Sequence, residues 1–264
     1  MVGRSWLDGG MTMPSGSEVV LAGPAMVPLV RAVRELSEAG LGRFAVVGGV
    51  AVSARLGSAH RATADVDTVV DETTPPDAVE ALLARDHAEA DPVTPHRVFL
   101  HGTKVEILGV GPLEDSDLAD LPDHDALFVA AHAWGLERAT DLTITASDER
   151  GLRATAPFAT ASGLVAMKLH AIQTRSPASL HKRGGDAWDL YRLLVDLDGS
   201  GDVRGDLASA PPLMRRLLIE AVQRVLIDGA ARTVGWLRVS DVATGPVSAE
   251  ELRFLAAPLV DALG

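Results

Sequence analysis

Residues 43 to 71 read RFAVVGGVAVSARLGSAHRATADVDTVVD, and this stretch constrains the fold more than any other. RFAVV is a short β-branched run that stops at Gly48 and Gly49. VAVSARLG has the small and apolar residues of a short helix, and DVDTVVDE, from Asp65, alternates as a strand does. A strand, a helix and a second strand in so few residues bury their apolar faces by layering helix on sheet.

The flanks extend that layer. Pro24 introduces a helix in AMVPLVRAVRELSEAG, where Val27, Leu29, Val30, Val33 and Leu36 form one stripe that stops at Gly40. Pro75 and Pro76 read as opening a further helix through about Arg85. RVFLHG and TKVEILGV read as two strands turning at Gly102. ALFVAAHAWGLERA from Ala126 reads as helical, and LTITASDERGLRATA as a hairpin around Asp148 to Gly151. Beyond Pro157 the period changes from two to 3.6: SGLVAMKLHAIQTR, DAWDLYRLLVDL, PPLMRRLLIEAVQRVLIDG and SAEELRFLAAPLVDAL are amphipathic helices. The expected fold is α+β: a loose N-terminal tail at residues 1–24, with Trp6 tucked onto the body, a mixed-sheet domain at 25–155, and a helical domain at 156–264.

Composition narrows the functions. A chain of 264 residues buries a sizeable core, and with aromatic residues at only 4 % that core is built from Ala, Val and Leu. A net charge of −12 argues against a broadly basic surface for duplex nucleic acid and leaves room only for a local basic patch. The chain has no cysteine, which excludes disulfides and thiolate metal sites. No apolar run approaches the roughly 20 residues of a spanning helix, and no signal-type segment opens the chain, so the expectation is a cytoplasmic protein with no membrane partner.

Successive strand side chains alternate faces, so Asp65 and Asp67 project from one side and Val66 from the other. Two adjacent carboxylates repel unless a cation lies between them, and Mg²⁺ is the hard, oxygen-seeking candidate. The plainer reading is the solvated face of an edge strand. Glu106, between Val105 and Ile107 in KVEIL, offers a third carboxylate on an otherwise apolar strand. Gly48 and Gly49 stand where a strand enters a helix, where missing side chains let a phosphate chain approach backbone N–H groups. Together these residues suit a Mg-triphosphate.

The arrangement resembles the nucleotidyltransferase superfamily with the DNA polymerase β type fold. GGVAVSARLG followed by HRATADVD is similar to the AbiEii/AbiGii toxin family, with Arg61, Thr63, Asp65 and Asp67 matching its Arg-x-Thr-x-Asp-x-Asp motif. A second family signature, Lys and Arg on one helix and then Asp-x-x-Asp-Leu on the next, matches Lys168, Arg175, Asp186, Asp189 and Leu190. The resemblance covers roughly residues 44 to 194. Glu106 departs from it where Asp is commoner, and Gly184 and Gly185 separate Arg183 from Asp186.

The resemblance implies Mg²⁺-dependent transfer of a nucleotide from an NTP to an acceptor hydroxyl. Gly48, Gly49, Arg61, Thr63, Lys168 and Arg175 would bind the nucleotide, and Asp65, Asp67 and Glu106 would hold one or two Mg²⁺ ions. Asp186 would activate the acceptor or shape the site. It further implies a toxin of a bacterial toxin-antitoxin or phage-defence pair, acting on the tRNA 3′ end and held by an antitoxin protein. Lys168 and Arg175 lie seven apart, on one helix face, as do Asp186 and Asp189, three apart. Between residues 160 and 192 five cations face two aspartates, a net +3 where a polyanion would bind. Ion pairing within the helix pair is the plainer alternative. Two rivals remain: transfer to a small polycation such as an aminoglycoside, and a non-catalytic nucleotide-binding or partner module.

Other patterns fall away. VDLDGSGD at 195–202 begins like a calcium loop, but its twelfth position is Leu207, so a helix-ending turn is expected. The histidines, His60 and His170 included, stand singly without zinc spacing, and no Walker A, Gly-x-Ser-x-Gly or Gly-x-Gly-x-x-Gly run occurs.

Overall fold

The computed structural model describes residues 17–72, 77–111, 118, 120–239 and 246–264. Its strands are β1 (Glu18–Leu21), β2 (Phe44–Val47), β3 (Asp65–Asp71), β4 (Ala88–Ala90), β5 (Arg97–Leu100), β6 (Thr103–Val110), β7 (Thr140–Ala146) and β8 (Arg153–Phe158). They form one eight-stranded mixed sheet, ordered β1-β7-β8-β2-β3-β6-β5-β4. The fully buried β2 runs antiparallel to β3, with Val47 opposite Asp67. β3 runs parallel to β6, with Asp67 opposite Glu106 and Asp65 opposite Lys104. Register alone therefore places the carboxylates of two distant segments side by side at the sheet centre.

The helices are α1 (Met26–Glu38), α2 (Gly48–Leu56), α3 (Ala78–Leu83), α4 (Asp123–Glu137), α5 (Ala161–Thr174), α6 (Leu180–Leu197), α7 (Asp202–Leu207), α8 (Pro212–Val222), α9 (Ala230–Val239) and α10 (Ala249–Leu263). α1 buries Leu29, Val30, Val33 and Leu36, the expected stripe, against the sheet. β8 is the last described strand, and after it α5 packs against α4 and α6. The α+β class expected from the change of period is what the chain adopts. β8 runs across residue 155, and one apolar core includes Val46, Leu164, Leu190 and Leu259, residues of sheet and helices alike. None of the described helices is long and apolar enough to cross a membrane.

Several elements depart from expectation. Glu18–Leu21, within the stretch read as a tail, pairs in parallel with β7 and buries Val19 and Leu21; Trp6 lies outside the described residues. Pro75 and Pro76 also lie outside them. The helix assigned to them begins at Ala78 and ends at Leu83; Asp77 caps it, its Oδ1 accepting from the backbone N–H of Val79 at 2.9 Å and of Glu80 at 3.2 Å. α6 starts at Leu180, six residues before Asp186, and takes Gly184 and Gly185 inside it. β4, α7 and α9 were not legible as elements. The turn after α6 is a turn, with Asp198 accepting from Arg204 Nη1 at 2.9 Å.

Candidate active site

The ends of β2 and β3 meet where α2 begins. Gly48, the first residue of α2, has φ of +68°, and a Cβ there would stand 1.9 Å from Asp67 Oδ2. Only glycine suits that position, on both counts. A Cβ at Gly49 would stand 2.8 Å from Thr63 Oγ1 and 2.9 Å from Arg61 Nη2. The glycine pair is thus required first by the protein's own aspartate and guanidinium, which close over it.

Arg61 does not point into open space. Its Nε and Nη2 donate to the two carboxylate oxygens of Asp189 at 2.6 and 2.7 Å, a bidentate pair. Asp189, whose side chain is fully buried, also accepts from His60 Nε2 at 2.7 Å and pairs with Lys168 Nζ at 2.7 Å. Burial alone would raise its pKa, but the Lys168 charge and the hydrogen bonds from Arg61 and His60 outweigh that and hold the carboxyl far below the usual range. The segment carrying the Arg-x-Thr motif is thereby clamped to α5 and α6. Thr63 Oγ1 makes weak 3.5 Å contacts with the Asp65 carbonyl and with Asp65 Oδ1.

The helix α5 ends at Thr174, so Arg175 follows it in a non-helical conformation rather than sharing a helix face with Lys168; both still reach Asp186, Lys168 Nζ donating to Oδ1 at 2.7 Å and Arg175 Nε to Oδ2 at 2.8 Å. Burial would lower the Lys168 pKa, but Asp189 and Asp186 hold it above its ordinary value. Asp186 is likewise kept ionised against its burial by Lys168 and Arg175. Lys168 is buried, whereas the Arg175 side chain is 38 % exposed. Arg183 turns away, stacking on Trp236 and donating to the Arg175 carbonyl, and Arg192 pairs with Asp196 at 2.6 Å. Of the five cations in this basic stretch, Lys168, Arg175 and Arg192 are therefore balanced from within.

The strand carboxylates divide into two groups. Lys104, which sequence reasoning passed over, places Nζ 2.7 Å from Asp65 Oδ2 and 3.3 Å from Glu106 Oε1. Glu106 also accepts from Arg97 Nη2 at 2.5 Å. Burial opposes ionisation of both carboxyls, but Lys104 at Asp65, and Arg97 with Lys104 at Glu106, lower their pKa values. Asp67 has no such partner among the described residues. Burial first, then the neighbouring Asp65 charge, raise its pKa to about 6. Among the described residues no three His, Cys, Asp or Glu side chains are arranged to hold a metal ion. A hard divalent cation fits the Asp65 and Asp67 pair, because Asp67 has no hydrogen-bonded or ion-paired cation among the described residues and the Lys168 and Lys104 charges only partly offset its burial and the Asp65 charge. Glu106 lies beside them in register as expected, with its carboxylate already engaged.

A cavity of about 400 Å³ gathers these parts, lined by Gly48, Asp67, Glu106, Lys168, Arg175 and Asp186. It brings together the two motifs that stand about a hundred residues apart. Gly49, Arg61, Thr63 and Asp65 are not among its lining residues; Arg61 instead joins the clamp on Asp189. The opposite end of the cavity is built from Phe128, His132, Leu164, Met167 and His170, none of which the motif reading marked. The one signal available was a single histidine, His132, one helical turn after Phe128 in the otherwise apolar ALFVAAHAW. No family model matches the chain, and no curated protein matches it.

Proposed function

We propose that the chain is a nucleotidyltransferase that transfers NMP from a Mg-NTP to an acceptor hydroxyl. The observation that carries this reading is the single cavity lined by Gly48 and Asp67 on one side and by Lys168, Arg175 and Asp186 on the other. Asp65 and Asp67 hold the metal, and Mg²⁺ when bound offsets phosphate charge and activates the attacking oxygen. Arg175, the cation of the wall with an exposed side chain, faces the phosphates, while Asp186 fixes its guanidinium through the 2.8 Å bond. Lys168 adds positive potential from behind and locks α5 to α6 through Asp186 and Asp189. The acceptor oxygen attacks the α-phosphorus, its proton passes to solvent water, the bond to the bridging α,β-oxygen breaks, and pyrophosphate leaves. The work is positioning and electrostatics, as phosphoryl chemistry requires.

The resemblance to the AbiEii/AbiGii family supports a tRNA 3′ end as acceptor and an antitoxin as partner. A second reading, a small polycationic acceptor, gains from the internal pairing of Lys168, Arg175 and Arg192, which leaves less basic surface for RNA than the sequence count of +3 suggests. Labelled NTPs incubated with the protein, Mg²⁺ and either total tRNA or aminoglycosides separate the two. Label is expected on RNA, and label on the drug alone selects the second reading. Transfer that persists at the wild-type rate in Asp65→Ala and Asp67→Ala proteins refutes the assignment of the site.

A further inference from the structure

The chemistry above uses only the charged end of the cavity. At the other end Phe128 and His132 project from α4, and Leu164, Met167 and His170 from α5. The Phe128 ring centroid lies 4.3 Å from that of His132 and 5.2 Å from that of His170. Burial pushes the pKa of both histidines down to about 4, so both rings are neutral at pH 7. This end therefore carries aromatic surface and no charge, which suits a flat heteroaromatic ring.

A neutral imidazole has one N–H and one lone pair. His132 Nδ1 lies 2.7 Å from the Phe128 carbonyl oxygen, which can only accept, so Nδ1 bears the proton and Nε2 the lone pair. His132 is 7 % exposed and lines the cavity, and no described residue donates to its Nε2. Nε2 is not among the buried atoms left without a partner, so it is open to the cavity, and that is the direction from which a ligand's donor can come.

We propose that this end of the cavity is a nucleobase pocket in which the base lies against Phe128 and His170, and its exocyclic amino group donates to His132 Nε2. This deepens the nucleotidyl-transfer reading and rests on it. The group at the tip of the base, position 6 of a purine or 4 of a pyrimidine, is an amine in adenine and cytosine and a carbonyl in guanine and uracil. The amine completes His132. The carbonyl sets lone pair against lone pair and displaces whatever solvent could have donated to Nε2, so the pocket selects adenine or cytosine. A cavity of about 400 Å³ lies within the range of small-ligand sites. His170 stands in α5 and Arg175 immediately follows that helix, so one element carries both the ring that meets the base and the cation that meets the phosphates.

Calorimetric titration of the full chain with Mg²⁺ and the α,β-methylene analogues of ATP, CTP, GTP and UTP, and separately with tripolyphosphate, tests this. The ATP or CTP analogue is expected to bind about tenfold or more tightly than the GTP and UTP analogues. His132→Phe, which keeps a ring and removes the acceptor, should bring the analogues to within about twofold while tripolyphosphate binds as before. His132→Gln, whose amide turns to offer oxygen or N–H, should bind amino and oxo bases alike. Equal binding of all four analogues by the wild-type protein, with tripolyphosphate bound, overturns the base pocket and leaves nucleotidyl transfer standing. Selectivity that survives His132→Phe also overturns it. If neither tripolyphosphate nor any analogue binds, the nucleotide reading itself falls.

Discussion

Replacing Asp189 by Asn tests whether the clamp is a stability element. Its carboxylate takes two hydrogen bonds from Arg61, one from His60 and the Lys168 ammonium, all between 2.6 and 2.7 Å, with no solvent exposure. Asn keeps the shape, but its amide N–H₂ must face cations that themselves only donate; Arg61 loses its carboxylate, and Lys168 is left with Asp186 alone. Breaking a buried pair in this way costs about 3–5 kcal/mol. For a chain of this size that is a fall in Tm of roughly 6–20 °C. Because the folded carboxyl lies far below its ordinary value of 3.8, its contribution is complete above that pH and is lost only as pH falls further. Urea unfolding of wild-type and variant should thus differ by the same amount at pH 5 and pH 8. A loss below about 1 kcal/mol at pH 7, the scale of a surface ion pair, would show that the clamp adds nothing beyond solvated charge.

Asp67 should act in the opposite sense. Its folded pKa, raised to about 6 from 3.8, makes the native state hold a proton that the unfolded chain releases, so stability falls as pH rises through that window. With chelator present the fall is about 3 kcal/mol, and Asp67→Asn should abolish it and be the more stable protein at pH 8; identical pH slopes for the two proteins would sink this. Gly48→Ala forces a Cβ to 1.9 Å from Asp67 Oδ2 at a left-handed φ of +68°, a loss of about 1–3 kcal/mol in denaturant titration. Adding Asp67→Ala should recover part of that loss, and strict additivity would show that the overlap is not its cause.

The sheet's centre was legible because its elements carry strong local signals: the alternation in DVDTVVDE, the glycine turn before TKVEILGV and the 3.6 period of AMVPLVRAVRELSEAG. β1 was not, because four residues beside a glycine-rich segment have no period of their own, and their strand form comes from β7. The start of α6 was missed for the reverse reason. Gly184 and Gly185 are poor helix formers, but Arg61 passes over Gly185, its guanidinium 3.9 Å from where a Cβ would lie, so packing overrides propensity. Pairwise spacing put Lys168 and Arg175 on one helix face; Arg175 instead lies just past the helix end, and it is their convergence on Asp186 that brings them together and leaves Arg175 the more exposed. The roles of Lys104 and His132 depend on register and burial, which no local pattern encodes.

β1 also bears on the order in which the chain can assemble. Glu18 pairs with Thr143, 125 residues later, and among the described residues the strand has no other neighbour in the sheet. At synthesis rates of about 5–20 residues per second, this strand waits on the order of 6–25 s for the partner it pairs with here. Its outward Val20, 56 % exposed in the finished fold, stays in water throughout. A strand made well before its partner is secured late, and until then the β7 edge it will cover stands open to any other extended chain.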